Sequence, residues 1–308
     1  MNHSTPRSLA IALGTLLLAA APADAAEPLK VCLSDHNAPF ATLKDGKGDG
    51  LDRDVAVAIA AKVGRPLEEV WLENDHEHAQ NFVSDVTALL SGGYCEIMVG
   101  YPLTSDSVGL PPSEKHRIPR VGERRTLAQR PWVTLKEIQG TRPYYTVSYT
   151  IVLAPKIAAE PIRDMAGLKG KRVAVELATL SAEMVAHYDH DVLEKDMVQV
   201  QTQYENVWDK LVSGEADAAL VERHRAEVWI AANPGKGVKQ TDYVHDIRFN
   251  LGAVAAEGTD LGPVNKALSE LSADGTLKKL TEARGLSWVE PREPWIFPPI
   301  TPSLLLGR

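Results

Sequence analysis

The chain contains two copies of one local order: an apolar strand, an amphipathic helix that ends at glycine, and a second apolar strand. The first copy occupies residues 29–100 and the second occupies residues 169–221. This order is typical of the βαβ units from which parallel sheets are built. We therefore predict an α/β protein with two lobes, each formed around its own sheet.

Two extended stretches separate these lobes. Residues 141–155 are rich in aromatic and β-branched side chains and contain Pro143, which favours an extended crossing over a helix. Residues 244–258 have the same character, and helical periodicity follows them. The sequence predicts a discontinuous lobe 1 (27–145 plus 250–308), a lobe 2 (150–247) between its parts, and two hinge strands that allow closure around a ligand.

The first 25 residues have the pattern of a secretory signal. An apolar run follows Arg7 and ends at Ala23-Asp24-Ala25, a small-x-small cleavage pattern. An uncleaved anchor is the alternative, although the run is short for a membrane span. We expect a periplasmic protein of about 283 residues without a membrane span, which is long enough for two cores.

Cysteine content and charge restrict the class further. Cys32 and Cys95 lie in two strands that could be neighbours, so a disulfide is expected after export, with two buried thiols as the alternative. The net charge of −8 argues against a nucleic-acid partner. We expect no cofactor.

An insertion between residues 101 and 140 is basic and rich in proline, and most of it shows neither helical nor strand periodicity. A loop of this length in a compact domain is uncommon. It is either a solvated excursion or a docking surface for an acidic partner. The candidate surface residues are Arg117, Arg120, Arg124 and Arg125.

Two polar motifs contain side chains that can bind metal ions, but a loop and a turn account for them better. Residues 75–78 (Asp-His-Glu-His) have no identifiable distant ligand, so we predict a polar loop before a helix there. Residues 45–50 lack the alternating acids and the closing Glu of an EF-hand, so we predict a turn and a helix cap from Asp49 or Asp52. No metal site is expected.

Five segments occur in a characteristic order: GDGLDRDVAVAIAAKVG, TALLSGGYCEIMVG, LKGKRVAVELATLS, LVSGEADAAL and VNKALSELSADGTLKKL. In these segments, and over nearly the whole mature chain, the protein resembles the type II periplasmic solute-binding proteins. Three shorter motifs resemble the MoxJ branch, also written MxaJ or XoxJ: VCLSDHNAPF, GGYC and TRPYY. This second resemblance implies a non-catalytic periplasmic accessory protein. Its expected partner is a PQQ-dependent methanol or alcohol dehydrogenase, or a maturation intermediate of that enzyme.

The chain departs from the amino-acid receptors of this superfamily at the ligand positions. Those receptors use a basic residue of lobe 1 for the carboxylate, and a hydroxyl-bearing helix start and an acid of lobe 2. Here only Thr179 and Ser181 remain at the helix start, and Glu222 stands where the acid is expected. The Thr-x-x-Arg pattern of lobe 1 has no clean match. The resemblance therefore implies a pocket that has been lost or reshaped.

The predicted cleft lies beyond the carboxyl ends of the strands. Its candidate ligand-binding residues are His36, Phe40, Tyr101, Tyr144, Thr179, Ser181 and Glu222. Two other functions remain open. One is an ABC-transporter receptor for a small polar or aromatic solute, and the other is an enzyme that would use Glu176, Glu222 or His36 as acid and base. No catalytic residue is expected.

Overall fold

The structure of the protein is a computed structural model that describes residues 1, 26–73, 82–121, 129–201, 205–299, 301 and 305. The proposed signal segment beyond Met1 and the motif at residues 75–78 lie outside the described residues. No helix of the described part is long and apolar enough to cross a membrane.

Strands and helices alternate along most of the described chain. The strands are β1 (Leu29–Ser34), β2 (His36–Asn37), β3 (Ala41–Lys44), β4 (Lys47–Asp49), β5 (Leu67–Leu72), β6 (Ile97–Leu103), β7 (Lys115–Arg117), β8 (Trp132–Thr134), β9 (Ile138–Val147), β10 (Tyr149–Leu153), β11 (Val173–Glu176), β12 (Met197–Val200), β13 (Ala218–Glu222), β14 (Lys239–Gln240) and β15 (Phe249–Ala256). The α-helices are α1 (Leu51–Val63), α2 (Phe82–Ser91), α3 (Leu180–Ala186), α4 (Val207–Ser213), α5 (Arg223–Ala232), α6 (Gly262–Ala273) and α7 (Thr276–Ala283).

Two five-stranded sheets form the centres of two lobes. The lobe 1 sheet has the order β5-β1-β6-β15-β9, with β1 parallel to β5 and β6, and β15 antiparallel to its neighbours. The lobe 2 sheet has the order β12-β11-β13-β10-β14, with β11 parallel to β12 and β13, and β10 antiparallel to its neighbours. The prediction of a two-lobed α/β fold is confirmed.

Apolar stripes attach the helices to these sheets. In α1, Leu51, Val55 and Ile59 are fully buried against the lobe 1 core. The helix ends at Gly64, whose left-handed φ of 75° lets its N–H bond to the carbonyl of Ala61. In α4, the side chain of Asn206 caps the first turn by accepting from the N–H of Asp209 at 2.9 Å.

The chain passes between the lobes twice. The sheet of lobe 1 contains β9, and after Ser148 the next strand, β10, belongs to the sheet of lobe 2. The return passage leads into β15, which pairs with β9. Adjacent antiparallel strands therefore form the connection, a geometry that permits hinge motion.

A proline-rich tail, residues 286–299, follows the last helix and crosses the same region in a non-helical form. The N–H of Phe297 donates to the carbonyl of Leu103 at 2.8 Å, which attaches the tail to lobe 1. The Phe297 side chain also packs against the core of lobe 2. Where the hinge strands meet, the Nδ2 atom of Asn250 donates to the carbonyls of Arg292 and Trp295, both at 3.1 Å. The tail thus contacts both lobes.

The insertion contains more regular structure than the sequence indicates. Strands β7 and β8 pair antiparallel, and Nε2 of His116 lies 2.8 Å from Oδ1 of Asp85 on α2. The expectation of an irregular stretch is therefore wrong for this part. Strands of three residues are too short to show an alternating pattern in the sequence.

The two cysteines form a disulfide, as predicted. Cys32 on β1 and Cys95 just before β6 have Cα atoms 5.6 Å apart, and the bond closes a loop across a sequence separation of 63 residues. Both residues are buried in the lobe 1 core. Cross-linking a loop of this length removes many conformations from the unfolded chain.

We expect replacement of both cysteines by alanine to lower the free energy of unfolding by about 2–4 kcal/mol, because the unfolded chain regains the entropy of the open loop. Urea unfolding of the wild type and the double variant measures the difference. A reducing agent should destabilise the wild type and leave the variant unchanged. A loss below about 1 kcal/mol would contradict a structural role for the bond.

Asp52 occupies a different environment from the one that the sequence predicts. Neither Asp49 nor Asp52 caps α1, since Gly50 is the cap residue and no side chain bonds there. Asp52 is instead buried in lobe 1, where its Oδ1 accepts a hydrogen bond from the hydroxyl of Tyr144. Burial raises the pKa of Asp52 to about 7, and the hydrogen bond from Tyr144 opposes that rise.

A raised carboxyl pKa makes stability fall as the pH rises. Between pH 4 and pH 7 the native state holds the Asp52 proton while the unfolded state releases it. The free energy of unfolding should therefore decrease across this interval, and the full cost should be present above pH 7. Asp52→Asn should flatten the decrease. Urea unfolding at several pH values tests this, and equal slopes for the two proteins would contradict it.

Candidate functional site

A cavity of about 230 Å³ lies in lobe 2 at the carboxyl ends of β11 and β13. Ligands of open α/β sheets bind beyond this end of the strands. The lining residues come from the carboxyl ends of β11 and β13, the start of β10 and two helix starts: Tyr149, Glu176, Thr179, Leu180, Ser181, Leu220, Val221, Glu222 and Arg225. Three residues that the sequence predicts for the cleft, Thr179, Ser181 and Glu222, are among them.

An ion pair forms one wall of this cavity. The two terminal nitrogens of Arg225 donate to the two oxygens of Glu176, at 2.5 and 2.7 Å. Glu176 ends β11, and Arg225 lies in the first turn of α5, so the pair joins two elements of lobe 2. A bidentate pair of this kind fixes both side chains, and it engages the guanidinium of Arg225.

Glu222 has no comparable partner. Strand β13 ends at this residue and α5 starts immediately after it, which places its carboxylate at the cavity. Burial raises the pKa of Glu222, the charge of Arg225 opposes the rise, and the charge of Glu176 adds to it. Its nearest ionisable contact is Nε2 of His224, 3.4 Å away.

His224 does not supply the missing positive charge. Burial, together with the positive charge of Arg225, lowers the pKa of its imidazole to about 3. The ring is therefore neutral near pH 7. Its Nδ1 atom is buried and has no hydrogen-bond partner in the described structure.

The hydroxyl groups of the cavity bond mainly to each other and to the local backbone. Oγ1 of Thr179 donates to the carbonyl of Glu176 at 2.6 Å and accepts from the N–H of Ala182 at 3.3 Å. It also lies 2.9 Å from Oγ of Ser181. Thr179 is thus the cap of α3, and this role uses its hydrogen-bonding capacity.

Aromatic side chains connect the two lobes beside Glu222. Phe40 of lobe 1 packs edge-on against the His224 ring of lobe 2, with ring centroids 4.6 Å apart. Its ring also contacts Tyr145, at 5.3 Å. A further contact between the lobes joins the Ser287 N–H to Oε2 of Glu227 at 2.9 Å. The lobes therefore touch on the side where Glu222 lies.

The other four predicted cleft residues do not line this cavity. Phe40 is buried in the lobe 1 core, at its contact with His224. The structure places Tyr101 and Tyr144 in the lobe 1 core, because each hydroxyl finds an internal acceptor: the carbonyl of Ser107 at 2.7 Å for Tyr101, and Asp52 for Tyr144. His36 lies outside the cavity, with its Nδ1 2.8 Å from Oδ1 of Asp35. Tyr101 lies within β6 and Tyr144 within β9, so neither is placed beyond the end of a strand.

Two residues of this region are absent from the sequence-based predictions. His224 and Arg225 directly follow Glu222 at the start of α5. The available signal was the strand-to-helix junction itself, because the first turn of a helix after a parallel strand faces the ligand side of the sheet.

A larger depression of about 960 Å³ lies along the outer edge of β5 in lobe 1. Its charged side chains include Lys30 and Glu68, which lie 3.8 Å apart, and Glu69, which pairs with Arg53 at 2.8 Å. It runs along the whole of β5, from Lys30 and Glu68 near the amino ends to His36 and Glu73 beyond the carboxyl ends of β1 and β5. It therefore lies at the edge of the lobe 1 sheet that is farthest from β15 and β9, the strands that connect to lobe 2. We therefore assign the candidate site to the smaller cavity.

The predicted partner surface is only partly described. Nη1 of Arg117 donates to the carbonyl of Arg130 at 2.8 Å, and its guanidinium lies 4.8 Å from the Trp132 ring centre. Arg120 lies 3.7 Å from Glu73. Arg124 and Arg125 lie outside the described residues. In the described part of the chain, no group of three or more His, Cys, Asp or Glu side chains is placed to hold a metal ion.

Solved structures share this architecture. The chain matches the L-cystine solute receptor of Neisseria gonorrhoeae with a TM-score of 0.58 at 22% identity, over 84% of this chain and 93% of the receptor. It matches an ancestral cationic amino acid solute-binding protein with a TM-score of 0.57 at 23% identity, over 84% and 95% of the two chains. The fold is that of the type II periplasmic solute-binding proteins.

Sequence relatives agree with this fold. The putative amino-acid ABC transporter-binding protein PatH of Vibrio harveyi is 22% identical over 284 residues, which cover 88% of this chain and 94% of PatH. The probable amino-acid-binding protein YxeM of Bacillus subtilis is 26% identical over 256 residues, which cover 82% of each chain. No protein-family model matches the chain.

These comparisons overturn the expected accessory role. The hypothesis of a protein that assists a PQQ-dependent dehydrogenase depended on three short motifs. The two sequence relatives, which cover most of the chain, are instead named as amino-acid-binding proteins, and a solved structure of the same fold is named as a solute receptor. The accessory function and the dehydrogenase partner are therefore wrong. Short motifs near a cysteine or a proline preserve local packing, and they do not carry a function by themselves.

We expect Arg225→Met to lower the free energy of unfolding by about 2 kcal/mol, because Glu176 loses its partner while it stays buried. This value lies below that of a fully buried pair, since the Arg225 side chain is 37% exposed. Glu176→Gln combined with Arg225→Met should recover part of the loss. Urea unfolding of the single and double variants gives the coupling, and strictly additive losses would contradict it.

Proposed function

We propose that the protein is an exported solute-binding receptor of an ABC transporter, which captures one small polar solute between its two lobes. The observation that supports this most directly is the cavity at the strand ends of lobe 2, which lies beside a contact between the lobes. Its volume of about 230 Å³ suits a ligand of amino-acid size.

The comparisons support the same class of function. The relatives that cover most of the chain are named as amino-acid-binding proteins, one of them with an ABC transporter. We infer that binding, without a chemical step, is the activity of this chain as well. Glu222 supplies a carboxylate for a positively charged group of the solute. Phe40 provides the contact from lobe 1 beside it, through the ring of His224.

The proposed receptor function also implies that the protein is exported. An exported receptor encounters an oxidising compartment, and the Cys32–Cys95 disulfide suits that environment. The apolar segment at the start of the chain supplies the proposed export signal. Delivery of the solute to a permease then requires that the lobes open again, which the two hinge strands allow.

A binding screen with variants in both lobes tests this function. We expect at least one solute among amino acids, small amines and small aromatic compounds to raise the melting temperature by several degrees, because a ligand at one hundred times its Kd adds about 2.7 kcal/mol. Phe40→Ala in lobe 1 and Glu222→Gln in lobe 2 should each weaken binding at least about tenfold.

The matched control is Glu215→Gln, since Glu215 is exposed, bonds to Lys210 and lies outside the cavity. It should bind the solute like the wild type. Failure of the whole panel to shift the melting temperature would contradict the receptor function. If Phe40→Ala and Glu222→Gln both leave binding unchanged, the solute binds elsewhere, and this result would also contradict the proposed site.

A further inference from the structure

The charges around the cavity restrict the chemistry of its ligand, and this restriction rests on the proposed receptor function. Three charged side chains line the cavity: Glu176, Glu222 and Arg225. Because Arg225 donates both terminal nitrogens to Glu176, the positive charge of this set is already neutralised. Among the described lining residues, Glu222 is left without a positive side chain paired to it.

The lining provides little for a carboxylate of the ligand. No other Lys, Arg or His lines the described cavity. The start of α3 gives no substitute, since this helix has only seven residues and Thr179 already caps it. A ligand carboxylate would have to displace Glu176 from Arg225 or remain unpaired beside Glu222, and both arrangements are costly.

The surroundings of Glu222 suit a cation instead. Tyr149 lies opposite Glu222 in the pairing of β10 with β13 and lines the same cavity. Phe40 and Tyr145 stand at the adjoining contact between the lobes. Aromatic rings attract organic cations through their negative faces, and a nearby carboxylate adds the opposite charge.

His224 does not line the cavity, but its unpaired Nδ1 is a neutral polar group next to Glu222. His224 is buried beside Glu222, and its ring contacts Phe40. A neutral imidazole can accept a hydrogen bond from an N–H donor. An ammonium or guanidinium group brings several such donors, whereas a carboxylate brings none.

We propose that the ligand of this cavity is an organic cation that carries an amine or guanidine group and lacks a carboxylate. Its positive group pairs with Glu222, and the Glu176–Arg225 pair stays intact as a fixed wall. The site therefore discriminates between an amine and the corresponding amino acid. Cation binding also supplies a positive partner for the partly exposed carboxylate of Glu222.

Matched pairs of compounds that differ only in the carboxylate test this proposal. Isothermal titration of the full mature protein compares agmatine with L-arginine, cadaverine with L-lysine, and putrescine with L-ornithine. We expect at least one amine to bind at least about tenfold more tightly than its amino acid, which corresponds to about 1.4 kcal/mol. An amino acid that binds as tightly as its amine in every pair, or more tightly, would overturn the proposal.

Variants of Glu222 connect the preference to this residue. Glu222→Gln removes the charge and should weaken binding of the preferred amine at least about tenfold, whereas Glu222→Asp keeps the charge and should retain part of the affinity. Glu215→Gln is again the matched control. Circular dichroism confirms that each variant is folded, and equal affinities for the Gln and Asp variants would overturn the assignment to Glu222.

The experiment separates this proposal from the receptor function. If only amino acids bind, the receptor function stands and the proposed ligand class is wrong. If none of these pairs binds, but another uncharged or anionic solute does so in a Glu222-dependent manner, the ligand class is again wrong. If no small solute binds, both proposals fail.

Discussion

A carboxylate that is removed from water requires either a positive partner or a proton, and lobe 2 contains two carboxylates in one cavity. Glu176 satisfies this requirement through its bidentate bond to Arg225. That bond joins the end of β11 to the first turn of α5, so it also fixes the position of the residues that precede Arg225. The exposed charge of the site then depends on Glu222 alone. The Glu176–Arg225 bond therefore determines both the position of the start of α5 and the charge that remains in the cavity.

Contact between the lobes links this site to motion of the whole molecule. Phe40 touches His224 across the lobes, and Glu227 holds the N–H of Ser287. The proline-rich tail runs beside the hinge strands, where Asn250 bonds to two of its carbonyls. Opening of the lobes has to disrupt the first two contacts. A ligand that bonds to Glu222 while Phe40 stays packed on His224 would stabilise the same closed arrangement, which is the behaviour required of a receptor.

The sequence is informative where burial produces a pattern. The apolar spacing of α1 and the glycines at helix ends predict the two α/β lobes, and the positions of Cys32 and Cys95 predict their bond. Side-chain direction is not encoded in this way. Tyr144 is expected in the cleft because it lies in the predicted hinge, yet its hydroxyl donates to Asp52, which is 92 residues away in the chain. Similarly, Glu176 and Arg225 are 49 residues apart, so nothing in the local sequence indicates that they neutralise each other.

The protein thus has the fold of periplasmic solute-binding proteins. Among the described residues that line its cavity, the only guanidinium, that of Arg225, is already paired with Glu176. The most direct measurement is to isolate the protein from its own source without denaturation, release its bound small molecule and identify it by mass spectrometry. A solute with a positively charged group, retained by the wild type and lost from Glu222→Gln, is the result that this account predicts. An anionic solute, or one whose retention does not depend on Glu222, would contradict it.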